Sequence, residues 1–211
     1  MLVRFELYDR VAQLGKAVSH GTRLEMLELL AQAEQNVEDL ARITENSITT
    51  TSSHLQVLKR AGLVKTRRAG TRIFYRLASE DVAGLFVALK SVAASVLPAA
   101  LEQQDSSCSD VPVIRTLAVT RDAFMLDVRP AREFTAGHFP GAVSIPLGQL
   151  EERIEEVPTD CRVIVYCRGE FCVLARDAAR TLRAHGVDAF AMDEGVLEWR
   201  ASGAVDLGAI A

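Results

Sequence analysis

The stretch from Val37 to Ala61 constrains the fold more than any other part of the chain. Asn36 reads as the cap of a short helix over Val37 to Ile43, and Thr44-Glu45-Asn46 as a three-residue polar turn. Ser47-Ile48-Thr49-Thr50-Thr51-Ser52-Ser53-His54 then runs into the apolar Leu55, Val57, Leu58 and Ala61. The order is helix, tight turn, helix. The leading half of the second helix is built of short hydrogen-bonding side chains with poor intrinsic helix propensity, so they serve something other than the helix's own stability. Gly62 ends it. Two β-prone stretches, Leu63 to Arg67 and Arg72 to Leu77, flank Arg68-Ala69-Gly70-Thr71 and read as a hairpin, a basic wing beside the helix.

Further helices frame this unit. Leu7, Val11, Leu14 and Val18 follow a three-to-four spacing, and after a break at His20-Gly21-Thr22 the stripe resumes with Leu24, Leu27, Leu29 and Leu30 as far as about Ala33. Ser79, with Glu80 and Asp81 in the turn after it, starts an apolar helix that runs to about Leu97, where Pro98 interrupts it. Gln103 to Asp110 is small, polar and without periodicity, the best linker in the sequence. The second half alternates β-prone runs (Ala123 to Val128, Val163 to Tyr166, Ala189 to Met192) with helical ones, notably Val173 to His185. Such alternation implies a parallel sheet with helices on its faces. The expected organisation is therefore a mainly α winged helix-turn-helix domain over 1–101, a linker over 102–112, and an α/β domain with a central parallel sheet over 113–211.

Charge separates the halves. Residues 1–100 hold 13 Lys and Arg against 10 Asp and Glu, whereas residues 101–211 hold 11 against 18. A nucleic-acid partner therefore belongs to the first half. No apolar run approaches the roughly 18–20 residues needed to cross a bilayer, so no membrane partner is expected and the cytoplasm is the expected compartment. The four cysteines, Cys108, Cys161, Cys167 and Cys172, cluster in the second half. In a reducing compartment that favours packing, metal binding or catalysis over a disulfide framework.

A helix entering the major groove needs small polar side chains at its leading end and apolar anchors behind them. Thr49, Thr50, Ser52, Ser53, His54 and Gln56 meet the first need, and Leu55 and Leu58 the second. Lys59, Arg60, Arg67, Arg68 and Arg72 supply phosphate neutralisation. Taken alone, the Ser/Thr run equally describes a capping region on a solvated helix. The adjoining turn and wing favour the DNA-reading alternative.

Thr22-Arg23-Leu24, Asp39-Leu40-Ala41, Ser53 to Val64 and Arg67 to Leu77 resemble the ArsR family of winged-helix regulators over about residues 5–100. The resemblance implies a homodimer formed by the first and last helices of this head, bound to palindromic double-stranded operator DNA. It also carries a departure. Metal-sensing members have a Cys-x-Cys pair before the recognition helix, where this chain has Asn36-Val37-Glu38-Asp39-Leu40, and the last head helix offers no histidine. No metal and no cofactor are expected, and the signal must be sensed elsewhere.

Val163-Ile164-Val165-Tyr166 ends directly at Cys167, and the next helix is expected to begin at about Cys172. A strand, short loop and helix present backbone N–H groups and a helix dipole to the loop, which is expected to depress the Cys167 pKa below the free value of about 8.5. Both cysteines are also the kind of small hydrophobe that simply packs.

The surrounding motifs decide between these. Leu126-Asp127-Val128-Arg129 with Glu133, Gly137-His138-Phe139-Pro140-Gly141-Ala142, Tyr166-Cys167-Arg168-Gly169-Glu170-Phe171-Cys172, and Asp193-Glu194-Gly195-Val196-Leu197-Glu198-Trp199 resemble the rhodanese domain over about residues 112–205. The resemblance implies that Cys167 accepts a sulfane sulfur as a persulfide and passes it on, with Arg168, Gly169, Glu170, Phe171 and Cys172 forming the loop around it. Related arsenate reductases and phosphatases place an arginine where this chain has Val173, which disfavours oxyanion chemistry. Arg168 would attract an anionic donor and Glu170 oppose it. Cys172 has two readings, a resolving thiol or an inward-packing residue.

The expected function is a DNA-binding repressor whose rhodanese-like domain senses or transfers reactive sulfur through Cys167. The small sulfur donor would be thiosulfate, polysulfide or mercaptopyruvate. Two alternatives stay open: a sulfurtransferase acting on thiosulfate or mercaptopyruvate, dimerised or localised by its head, and a metalloid or metal sensor using the cysteines.

Overall fold

The computed structural model describes residues 2–97, 110–114 and 123–202. Pro98, Cys108 and the linker residues 102–109 lie outside the described residues. The chain forms two compact units, Met1–Ala88 and Leu89–Ala211.

In the first unit α1 (Leu2–Val18) and α2 (Gly21–Gln32) precede a two-residue strand β1 (Gln35–Asn36), then α3 (Val37–Ile43), α4 (Ile48–Arg60) and the hairpin β2 (Val64–Ala69) and β3 (Arg72–Leu77); α5 (Glu80–Val96) begins in this unit and ends in the second. The caps follow from the side chains available. Asn36 Oδ1 accepts from the Asp39 amide at 2.8 Å, and Ser47 Oγ from the Thr50 amide at 3.1 Å, each satisfying a donor that the first helical turn leaves unpaired. At the far end of α4 the Leu63 amide donates to Leu58 O and the Gly62 amide to Lys59 O, both at 3.0 Å, which closes the helix and turns the chain into β2.

The hairpin is tighter on its leading side than the sequence suggests. Arg68 and Ala69 pair with Ile73 and Arg72, leaving Gly70-Thr71 as the turn. β3 also pairs antiparallel with β1, giving sheet order β1-β3-β2. The core beneath it is Met26, Leu27, Leu29, Leu30, Leu40, Leu55, Leu58, Leu63, Val64 and Tyr75, all buried. Leu55 and Leu58 are fully buried from one side of α4, which leaves its polar side outward.

The second unit contains β4 (Val113–Ile114), β5 (Phe124–Asp127), α6 (Ala131–Ala136), β6 (Val143–Ser144), β7 (Val163–Tyr166), α7 (Leu174–Ala184), β8 (Ala189–Met192) and α8 (Val196–Ser202). The strands form a five-stranded sheet, order β4-β8-β7-β5-β6, in which every pairing is parallel. β7 lies at its centre. Val163 and Val165 pack into one cluster with Ala175, Ala178, Ala179 and Leu182 of α7, while Ile164 and Tyr166 pack into another with Trp199 of α8. Burial on both faces is why this strand is a continuous apolar run. No helix among the described residues is long and apolar enough to cross a membrane.

Candidate functional site

The cysteine loop leaves the C-terminal end of β7, where parallel α/β sheets form their ligand crevices. Cys167 is fully buried within the core cluster on the α7 side. Gly169 takes φ of +111°, a conformation open to glycine, and the chain turns back so that the Cys172 amide donates to Gly169 O at 2.9 Å. The Cys167 thiol donates to Cys172 O at 3.3 Å. α7 begins at Leu174, two residues later than expected, because residues 167–173 form the loop itself.

The electrostatics correct the expected acidity of Cys167. Burial pushes the Cys167 thiol up, and its hydrogen bond to Cys172 and the charge there add to the rise, outweighing the amides of Ala175 and Gly169 that favour its thiolate. The acidic thiol is Cys172, lowered to about 6 by the hydrogen bond from Cys167, by the Arg168 guanidinium, and by the amides of Arg168 and Leu174. Of the two thiols, the environment of the loop favours the thiolate on Cys172, the more exposed of the pair.

Arg168 is not presented to an incoming anion. Its guanidinium donates to both carboxylate oxygens of the fully buried Glu133, at 2.7 and 2.9 Å. Beside it the buried Arg129 pairs with the buried Asp127 at 3.0 and 3.1 Å and donates to Gly137 O at 2.9 Å. Two carboxylates and two guanidiniums thus balance one another behind the loop, and α6 is tied to it through Glu133. Glu170 is partly exposed and Phe171 exposed at the loop surface.

A second turn braces the loop from the α8 side. A Cβ on Gly195 would stand 2.5 Å from Arg168 C and 2.6 Å from Gly169 N, so only glycine permits the Asp193-Glu194-Gly195 turn to lie against the loop backbone. The Gly195 amide donates to Glu198 at 2.9 Å, Trp199 Nε1 to Glu194 at 3.1 Å, and Arg176 to Asp193 at 3.0 Å. Trp199 packs edge-on to Tyr166 and Phe139, with centroids 5.2 and 4.7 Å away. The His138 ring stacks on Phe134 at 3.8 Å and bonds to its carbonyl, a packing role. Glu133 and Gly195 stood in recognised motifs, yet only the structure gives them these partners.

In the first unit, Thr49, Thr50, Ser53, Gln56 and Lys59 are exposed and Ser52 and His54 partly so. Ile48, Thr49, Ser52, Ser53, Gln56 and Arg60 line one depression of about 430 Å³ on α4. Thr50 is partly committed to the cap through the 2.9 Å contact of its hydroxyl with Ser47 Oγ. Thr51, within the same run, is fully buried. His54 lies 4.4 Å from the His20 ring, and burial, then His20 and Arg23, lower its pKa.

The three wing arginines are exposed but not equivalent. Arg67 forms a bidentate ion pair with Glu34 and lies 5.1 Å over the Phe74 ring. Arg68 donates to Gly70 O at 3.0 Å, which fixes the turn, while Arg72 stands across from Ala69. Among the described residues, no three His, Cys, Asp or Glu side chains group as a metal site would need.

Comparison with known proteins assigns both units. Residues 20–66 match the family of bacterial regulatory proteins of the arsR type, and residues 115–202 match the rhodanese-like domain. The chain is 45% identical to the HTH-type transcriptional regulator Rv0324 of Mycobacterium tuberculosis, over 96% of this chain and 93% of that protein. It is 42% identical to the biofilm growth-associated repressor of Agrobacterium fabrum, over 39% of this chain and 70% of that one. Among solved structures, the homodimeric winged helix-turn-helix domain of Mb0332 from Mycobacterium bovis is 50% identical over 44% of this chain and 87% of its own, with a TM-score of 0.43. The chain belongs to the ArsR family of bacterial transcriptional regulators, with a rhodanese-like domain behind its DNA-binding head.

Proposed function

We propose that this regulator is a repressor that reads reactive sulfur: Cys167 takes a sulfane sulfur as a persulfide, and that change alters the affinity of the head for its operator. The observation that carries the reading is the cysteine loop itself. Cys167 sits at the end of the central strand with its thiol 3.3 Å from the Cys172 carbonyl, in a loop braced on both sides by Glu133 and Gly195. The head supplies the output, since Thr49, Ser52, Ser53, Gln56 and Arg60 line one face of α4 and Arg68 and Arg72 are exposed on the wing.

The unit that binds would be a homodimer. Leu7, Tyr8, Val11 and Leu14 of α1, and Leu85, Leu89, Val92 and Val96 of α5, are large apolar side chains left exposed in the single chain, as helices awaiting a second copy would be. Neutralisation of Arg168 by Glu133 favours a polysulfide over the dianionic thiosulfate as donor.

Two measurements on the purified full chain separate a regulator from a plain sulfurtransferase. Retention of a labelled duplex from upstream of its own coding sequence, weakening as salt rises, is expected, with little steady-state turnover of thiosulfate or mercaptopyruvate. Rapid turnover with no DNA retained would overturn the proposal in favour of the enzyme.

A further inference from the structure

Cys167 and Cys172 are separated by four residues, yet the loop folds back so that the Cys167 thiol reaches the backbone of Cys172. The reversal at Gly169 and the 2.9 Å bond from the Cys172 amide to Gly169 O bring Cys167 Sγ to 3.3 Å from the Cys172 carbonyl. Cys172 packs against the core cluster that contains Cys167, but unlike Cys167 it keeps part of its surface in solvent. Arg168, held in place by Glu133, stands where its charge favours a thiolate on Cys172. A nucleophile therefore lies beside the atom that would carry the added sulfur.

We propose that Cys172 is the resolving thiol of this loop: once Cys167 carries a persulfide, Cys172 attacks it, closes a Cys167–Cys172 disulfide and expels hydrosulfide. This rests on the reading of Cys167 as the sulfur acceptor and adds the fate of the sulfur. The chain keeps the oxidation and discards the sulfur atom.

The chemistry balances with a polysulfide donor, R–S–SH, as the only co-reactant. In the first step the Cys167 sulfur attacks the outer sulfur of the donor, its proton passes to the Cys172 thiolate, the donor S–S bond breaks and RS⁻ leaves. Cys172 then loses that proton to solvent. In the second step the Cys172 thiolate attacks Cys167 Sγ, the new S–S bond replaces the persulfide bond, and the outer sulfur departs as HS⁻. The two cysteine sulfurs lose two electrons between them and the sulfane sulfur gains two, so no further oxidant is required. A bridge across the loop would remove the Cys167 thiol and its hydrogen bond to Cys172 O, a larger change at the site than a persulfide alone.

The test uses reduced full-length protein under argon with sodium tetrasulfide as the probe, followed by alkylation and digestion with trypsin without reductant. Cleavage after Arg162, Arg168 and Arg176 places Cys167 in the peptide Val163–Arg168 and Cys172 in Gly169–Arg176. In treated wild type the two peptides are expected as one linked species, two hydrogens lighter than their sum, with hydrosulfide released. In Cys172→Ser and Cys172→Ala the linked species disappears, and Val163–Arg168 retains one added sulfur of ~32 Da. Wild type that holds the added sulfur on Val163–Arg168, with Cys172 alkylated as a thiol, overturns the resolving role and leaves Cys167 as acceptor. No added sulfur on Val163–Arg168 in any variant, and no linked species in wild type, overturns the acceptor reading and this inference with it.

Discussion

Arg168, the residue after the buried cysteine, donates two hydrogen bonds to Glu133, which lies 35 residues earlier and is fully excluded from solvent. This pair ties the cysteine loop to α6. It also explains why a cation in the loop does not by itself make an anion site. Its strength comes from being buried and bidentate, and a buried carboxylate that loses its partner is left desolvated and unpaired.

Glu133→Leu is expected to destabilise the second unit by about 3–5 kcal/mol, the cost of stranding one member of a buried pair. The double variant Glu133→Leu/Arg168→Met should lose clearly less than the sum of its single changes, because no uncompensated charge remains. Urea unfolding of the three variants and wild type measures both effects; additive losses would show that the pair is not coupled.

Gly195→Ala is expected to push the Asp193–Gly195 turn off the loop backbone, since the added Cβ would meet Arg168 and Gly169 at 2.5 and 2.6 Å. Overpacking of this kind costs about 1–3 kcal/mol. The expected signature is a lower Tm together with faster alkylation of Cys167 as the loop loosens. Unchanged Tm and unchanged Cys167 protection would remove the bracing role from this turn.

The alkylation rate of Cys172 is expected to titrate with a midpoint at about pH 6. A thiolate is the reactive form, and a depressed pKa means that it is present above the midpoint and lost as pH falls through it. Cys167, raised by burial and by its neighbour, should stay unlabelled across the same range. Iodoacetamide labelling read on the tryptic peptides distinguishes the two sulfurs, and a Cys167 that labels first would reverse the assignment.

On the wing, Arg68→Ala and Arg72→Ala are each expected to weaken DNA binding with little dependence on sequence and to reduce the salt slope by about 1. Arg67→Ala should do less, because Glu34 already matches its charge. Gln56→Ala and Ser53→Ala, on the exposed polar face of α4, should instead relax specificity, by about 1–3 kcal/mol of discrimination for each side chain that reads a base edge. Salt-dependent titrations with operator and unrelated duplexes separate the two classes.

The elements with strong local signals were legible in the sequence. Asn36 caps α3 as side-chain chemistry dictates, and the apolar run Val163–Tyr166 is the central strand. The two-residue strands β1, β4 and β6 carry no such signal, because tertiary pairing alone defines them. The motifs located the cysteine loop, but its acidity was misjudged. Loop amides and a helix dipole do favour a thiolate there, yet full burial of Cys167 costs more, and it is the partly exposed Cys172 whose thiolate is favoured. The partners of Arg168 and Arg67 lie 35 and 33 residues away, a distance that no local pattern spans.

The most direct test of the account is operator affinity, measured by fluorescence anisotropy on the upstream duplex, with the full chain reduced and polysulfide-treated, as wild type and as Cys167→Ser. Treatment is expected to shift the Kd of wild type by about tenfold, within the usual range of allosteric coupling, and to leave Cys167→Ser unmoved. The same Kd for both states of wild type, or a Cys167→Ser protein that responds as wild type does, would contradict it.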